Sequence, residues 1–535
     1  MYQRKLIAFL SGPAASVLAI TVAIAARIFL QIHFLNLDND RSYQLLAAKN
    51  FLEGNGFSLL QVFPGDLSKS VFVPLTMWPQ GYSLFLSPLI LLFKNNLVLA
   101  SVCLDVLTCI LLVIYSRKLF TLFSPPLWLL NLYTLLTGFF IYKFSSASST
   151  DFLTLSIFFA ALFYCIKLIN NGALSAWRIA AVLLLLFFCS LTRYQYIPIT
   201  LIVPGSLLIM GWIEKNRFIL KTGLILITGL LTLLVVYFVT QFSLTGTLVY
   251  VPEGENSVSP DVILELYPFL LAAFINTDFL YSQIHNNTGI PYSVITTVFS
   301  IIHLAVVLLL TSFLLMRVKG IRPLKNISTN KYLFAGLFIS VLSCLILISI
   351  SLVYAPYSAG QKGIWTYIKE GRYFGFVIIF LQQLFLWFSY NYRSRFKKTI
   401  ICLALLLFIN FLHDVYYLIK LPFVNSTFLK YPDSVAVISK TDEWVKKIKA
   451  EYPEIRLVII AQPAYLGSHA GFYSPTPALY TFKTLKSQHF VTTGEILCLV
   501  ILDNPDNLPA LPGNKRPQLL ERNKNLYYYL VNVQP

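Results

Sequence analysis

Charge is what this 535-residue chain has least of. Only 12% of its residues are Asp, Glu, Lys or Arg, about half the share (roughly 25%) found in soluble globular domains. A water-facing surface wrapped around one core is therefore excluded. Acids are scarcer still: 23 against 41 Lys+Arg, a formal net charge of +18. At 57% hydrophobic, the chain is far too apolar for intrinsic disorder. Its seven cysteines stand at 103, 109, 165, 189, 344, 402 and 498. The first six lie in apolar runs and none forms a CxxC pair, which excludes a disulfide framework and zinc-ligand spacing; they read as small buried hydrophobes. A Gly-rich phosphate loop is missing too. Gly54 and Gly56 make a GxG with no strand before it and no third glycine, so a dinucleotide site is excluded.

What the chain has instead is repeated hydrocarbon. Apolar runs of about 20 residues, each able to cross about 30 Å, recur near 6–30, 97–116, 120–142, 152–169, 177–193, 195–213, 218–239, 293–316, 331–354, 373–391 and 399–418. That predicts eleven spans. Residues 79–93 are apolar but too short to cross, and read as a half-buried segment at the outer face. The first run follows Arg4 and Lys5 and is longer than the apolar part of a signal peptide, so it is read as an uncleaved span. Arg117/Lys118, Lys215/Arg217/Lys221, Arg317/Lys319/Arg322/Lys325 and Arg393/Arg395/Lys397/Lys398 fall on the side of the N-terminus. By the positive-inside rule that side is cytoplasmic. The segments assigned to it hold 18 basic residues and one acid, Glu214. The charge excess is thus a topology signal, and no nucleic-acid partner is implied.

Four segments, 31–96, 143–151, 240–292 and 355–372, become outer loops and carry nearly all the acids before residue 419. The expected fold is mainly α: a polytopic transmembrane helix bundle over 1–418 and a small extracytoplasmic α/β domain over 419–535. In that tail a helix is predicted at 441–452 and strands at 456–461, 496–502 and 526–533.

The chemistry-bearing residues gather at the outer ends of the spans. The first outer loop begins Leu37-Asp38-Asn39-Asp40-Arg41-Ser42-Tyr43 and later reads Trp78-Pro79-Gln80-Gly81-Tyr82. A carboxylate at the lip of a bilayer meets a low dielectric, which raises its pKa and suits a general base. The plain alternative for Asp40 is capping the helix announced by Tyr43, Leu46, Ala47 and Phe51. The second loop ends Ser148-Ser149-Thr150-Asp151, where Asp151 either serves chemistry or caps span four. Arg193 follows span five in Leu191-Thr192-Arg193-Tyr194; at a membrane edge it needs a headgroup or an anion, and Asp151 is one candidate. The last loop carries Lys362, then Lys369-Glu370-Gly371-Arg372-Tyr373, and the third carries His285. Asp105 lies inside the second span, with a hydroxyl such as Thr108 as its predicted partner.

The D-x-x-Y spacing followed by G-x-G-F, the P-x-G-Y turn, the acid at Asp151, L-T-R-Y and the E-x-R-Y before the penultimate span together resemble the GT-C superfamily. These are integral-membrane glycosyltransferases using polyprenyl-phosphate sugars, here of the bacterial protein O-mannosyltransferase and aminoarabinose-transferase type. The resemblance covers residues 1–418 in topology and is specific at four short motifs. Pro79-Gln80-Gly81-Tyr82 departs from the usual P-P-G-Y. The tail resembles, weakly, the α/β domain of many bacterial members.

The resemblance implies that Asp40 is the catalytic base, with Asp38 the runner-up because the spacing to the tyrosine varies. Asp151 is implied as a second acid that positions the acceptor or, in some branches, helps bind a metal. Arg372, with Lys362 and Tyr373, is implied to hold the donor phosphate, Lys369 being a weaker candidate. A guanidinium suits that task through bidentate, permanently charged contact. Arg193, Tyr43, Tyr82, Trp78 and His285 are implied as further substrate-contacting candidates. The implied reaction is inverting transfer of a sugar from a polyprenyl-phosphate donor to a lipid, glycan or protein acceptor, at the extracytoplasmic face of a bacterial plasma membrane among its lipids. No cofactor is expected. A lipid monophosphate held by basic side chains needs no metal, and a divalent ion, the less favoured alternative, wants more converging carboxylates. The rival readings are a lipid or glycan transporter or flippase and a ligase or polymerase of lipid-linked glycans. A transporter is expected to show repeats and polar groups at mid-membrane; the halves show no repeat, and the polar residues are predicted to cluster at one face.

Overall fold

The computed structural model describes residues 11–33, 37, 39–63, 65–139, 149–172, 175–249, 263–264, 266–318, 330–353, 371–391, 397–420, 434–463, 465–472, 475–479, 485, 488–513, 517–523 and 526–535. Helix α1 (Pro13–His33) leads to α2 (Asn39–Leu52), the strands β1 (Ser58–Phe63) and β2 (Asp66–Pro74), and α3 (Gly81–Leu92). Then come α4 (Leu97–Thr121), α5 (Leu127–Phe139), α6 (Ser149–Asn171), α7 (Ala176–Thr192), α8 (Tyr196–Ile213) and α9 (Arg217–Thr245). A single turn, α10 (Phe269–Ala272), and α11 (Thr277–Thr288) precede α12 (Tyr292–Val318) and α13 (Lys331–Val353). A 3-10 turn (Gly371–Phe374) opens α14 (Gly375–Asn391), followed by α15 (Lys397–Lys420). The tail contributes α16 (Ser434–Glu451), β3 (Arg456–Gln462), α17 (Tyr465–Ala470), β4 (Ala478–Leu479), β5 (Ile496–Leu502), β6 (Gln518–Asn523) and β7 (Leu526–Val533).

All eleven predicted spans are helices, as apolar segments must be where backbone groups find no water. Among the described residues nine are long and apolar enough to cross a membrane, which makes this a multi-pass membrane architecture. Two fall short of the expectation: α5 has 13 residues and α7 has 17. The segment expected to be half-buried is α3, 12 residues long, which buries Tyr82, Leu86 and Ile90. Helix α6 is central, 89% buried, whereas α15 is peripheral at 17%.

The sheet is larger than the tail alone. Its order is β2-β1-β4-β3-β5-β7-β6, so the β1–β2 hairpin between α2 and α3 joins it through a parallel contact of β1 with β4. Leu457, Ile459 and Ala461 face Val437, Val445 and Ile448 of α16. Val458 and Ile460 pack on the other face with Cys498, Val500, Val62 and Leu67. Burial on both faces is why β3 and β5 read as unbroken apolar runs. The tail also grips α2: Lys49, only 6% exposed, donates through Nζ to the carbonyls of Gly471 (2.9 Å) and Phe472 (3.3 Å).

Candidate functional site

Four charged side chains from four distant parts of the chain meet at one end of the bundle. Asp40 lies in the first turn of α2 and Asp151 in the first turn of α6. Arg193 is the C-cap residue of α7, and Arg372 lies in the turn that opens α14. Acids at helix N-termini and an arginine at a C-terminus each match the sign of the local helix dipole. Arg193 holds both acids: Nη2 donates to Asp40 Oδ2 at 2.5 Å and to Asp151 Oδ2 at 2.9 Å, with Nε 2.9 Å from Asp151 Oδ1. Arg372 Nη1 reaches the same two oxygens at longer range, 3.4 Å to Asp40 and 3.3 Å to Asp151. Two carboxylates and two guanidiniums balance, which is what makes burial of the group tolerable.

Exposure divides the four. The side chains of Asp151 and Arg193 are 4% and 7% exposed, those of Asp40 and Arg372 16% and 17%. Asp151 and Arg193 form the sealed brace, and Asp40 and Arg372 are the more exposed members.

The surrounding packing fixes them. The Tyr43 ring lies 5.5 Å from that of Trp78. The Arg372 guanidinium stands 5.0 Å over the Tyr373 ring. The next residue, Phe374, stacks on Tyr267 and Phe269 at 6.2 and 5.4 Å. Gly371 is required there: a Cβ would lie 2.5 Å from Cζ of Tyr267. Gly81 has a similar task, since a Cβ on it would overlap the carbonyl of Leu191. That close approach of α3 to the end of α7 brings the Trp78 loop and Arg193 into one site.

Burial raises the pKa of Asp40, but the charges of Arg193 and then Arg372, with the hydrogen bond from Arg193, outweigh it and hold the carboxyl below its ordinary 3.8. This corrects the expected rise at the membrane lip. The low dielectric is there, but it also strengthens attraction to two permanent cations. The capping alternative is corrected as well for both acids, which lie inside the first turn with their carboxylates engaged by arginines.

Of the predicted residues, Asp40, Asp151, Arg193, Arg372, Trp78, Tyr43 and Tyr373 come together. Tyr82 is fully buried in the core that packs beside them. His285 belongs elsewhere: its Nδ1 is 2.8 Å from the carbonyl of Ile290 and its ring 4.5 Å from Tyr292, closing the end of α11. Asp38, Lys362 and Lys369 lie outside the described residues. Asp105 is held by Arg41 and Gln31 and not by Thr108. Sequence reasoning passed over Arg41, although it stands next to Asp40 in the same motif. Among the described residues no three His, Cys, Asp or Glu side chains converge as metal ligands would.

Charges inside the bundle are not confined to the cluster. Arg27, Asp105 and Asp414 are each at most 3% exposed, which modifies the expectation that polar residues gather at one face. All three lie toward the helix ends nearest the cluster: the C-terminal parts of α1 and α15 and the N-terminal part of α4.

An apolar cavity of about 400 Å³ is lined by Phe57, Gln80, Leu84, Leu191, Val236 and Tyr237 among others.

No family profile and no curated protein matches this sequence. Among solved structures, the crystal structure of ArnT from Cupriavidus metallidurans bound to undecaprenyl phosphate aligns with 97% of this chain and 97% of its own, at 11% identity and a TM-score of 0.41.

Proposed function

We propose that the chain is a membrane glycosyltransferase that moves a sugar, with inversion, from a polyprenyl-phosphate donor to an acceptor hydroxyl or amine. The observation that carries this reading is the cluster itself: a partly exposed carboxylate, Asp40, and a partly exposed guanidinium, Arg372, on one sealed brace. The motifs around these residues, read from the sequence, support the same assignment.

In this reading the donor phosphate takes Arg372. The contacts of Arg372 to the two carboxylates, at 3.3–3.4 Å, are longer than those of Arg193 at 2.5–2.9 Å and so easier to surrender to a phosphate. Handing over Arg372 removes one cation from Asp40 and places an anion near it, and both changes raise its proton affinity. Asp40 is thus a weak base at rest and a stronger one with donor bound. It accepts the proton of the acceptor O–H or N–H while the acceptor atom bonds to the anomeric carbon. The bond from that carbon to the phosphate oxygen breaks, its electron pair leaves on the lipid phosphate, and Arg372 stabilises the added charge. Attack from the face opposite the phosphate inverts the anomeric centre. Arg193 and Asp151 keep the geometry throughout.

The test is to supply reconstituted protein with a panel of polyprenyl-phosphate sugars and measure release of lipid phosphate. Release with at least one donor is expected; none with any donor contradicts the reading.

A further inference from the structure

Arg41 follows Asp40 in the first turn of α2, and consecutive helix residues do not share a face. Asp40 turns to the cluster, whereas Arg41 runs into the bundle. Its Nη2 donates to Asp105 Oδ2 at 2.7 Å, with the two side chains 1% and 2% exposed. The same oxygen accepts from Gln31 of α1 at 3.2 Å. Asp105 is the ninth residue of α4, so it lies about 12 Å along a rigid span from the helix end, at 1.5 Å per residue. The backbone that carries Asp40 is therefore fastened, through its immediate neighbour, to two transmembrane helices. Stability alone is a poor reason for such a pair, because apolar residues of similar size often replace a buried ion pair at no loss. A charged, directional contact does what an apolar one cannot: it fixes the rotation and depth of the first turn of α2.

We propose that Asp105 is a positioning residue for sugar transfer, which through Arg41 sets the first turn of α2 so that Asp40 meets Arg193 and the substrate. This rests on the role of Asp40 given above. Neither Arg41 nor Asp105 touches the reacting groups in that mechanism. Replacing Asp105 alone takes away the carboxylate that faces the Arg41 guanidinium. Replacing both with apolar residues removes the charges and the directionality together while keeping the volume filled.

The experiment uses the full chain in vesicles with a donor that turns over in the panel. It compares Asp105→Asn, Asp105→Glu, the double variant Asp105→Leu/Arg41→Met, and Asp40→Asn as reference. Melting temperature, kcat, donor KM and the pH profile of kcat/KM are read for each. The double variant is expected to melt close to wild type, to lose at least tenfold in kcat, and to keep its donor KM within about twofold. Its acid limb moves to higher pH, because Asp40 no longer sits squarely against its guanidiniums. Asp105→Glu, which can still reach Arg41, recovers part of kcat, and Asp105→Asn does not. A double variant with wild-type kcat and pH profile, while Asp40→Asn is inactive, overturns the positioning role alone. A loss of activity that follows only the amount of folded protein, with an unmoved pH profile, overturns it too. Full turnover in Asp40→Asn, or none by wild type with any donor, ends both this proposal and the reading it rests on.

Discussion

At Asp40 burial and two arginines pull proton affinity in opposite directions, and the arginines win. Because the folded carboxyl ionises below 3.8, the ion cluster adds stability above that pH and loses it as pH falls through the folded value. Removing the nearer cation reverses the balance. In Arg193→Gln the acid limb of kcat/KM is expected to rise by about one to three pH units, checked by a pH profile of donor turnover. An unmoved limb means Arg193 does not set the state of Asp40. For Arg372→Ala, loss of a charge-assisted phosphate contact is expected to weaken binding of polyprenyl phosphate about ten- to hundredfold, measured by displacement of a labelled lipid. The four residues of the cluster were legible in the sequence because each stands in a short motif at the end of a span. The direction of the Asp40 pKa was not legible. It depends on partners 153 and 332 positions away in the chain, which no local pattern announces. His285 shows the converse: a polar residue whose described contacts are local, to the carbonyl of Ile290 and the ring of Tyr292.

At the level of elements, Asp40, Asp151 and Arg193 sit at helix ends where dipole and side-chain charge agree, whereas Arg372 opens α14 at its positive end and is held there by the two acids. The turn that carries Arg372 is closely packed against Tyr267. Gly371→Ala puts a methyl against the Tyr267 ring, and the expected result is displacement of Arg372 and loss of at least tenfold in turnover. Gly371→Ala/Tyr267→Ala opens the space again and is expected to recover part of it; equal activity in the single and double variants argues against the steric account. The helices themselves were readable because hydrocarbon thickness dictates the length of an apolar run. The hairpin of β1 and β2 was not readable. Its strands have mixed burial patterns, and β1 finds its outer partner more than 400 residues later, in β4.

For the molecule as a whole, that pairing makes the tail part of the site's support and not a separate appendage. The sheet takes two strands from the segment between α2 and α3, and Lys49 ties α2 to Gly471 and Phe472. A chain ending at Lys420 leaves β1 with an unpaired edge and strips the burial from Val62 and Leu67. It is expected to accumulate poorly and to show no turnover, checked by membrane yield, melting temperature and lipid-phosphate release; wild-type values for all three contradict this account of the tail.

The central claim is that a partly exposed carboxylate and a partly exposed guanidinium on one brace transfer a sugar. The most direct measurement compares wild type with Asp40→Asn in vesicles, following lipid-phosphate release and product formation from a polyprenyl-phosphate sugar. Wild type is expected to turn over, and Asp40→Asn to fall at least a hundredfold while melting normally and still binding polyprenyl phosphate. Wild-type turnover in Asp40→Asn contradicts the claim.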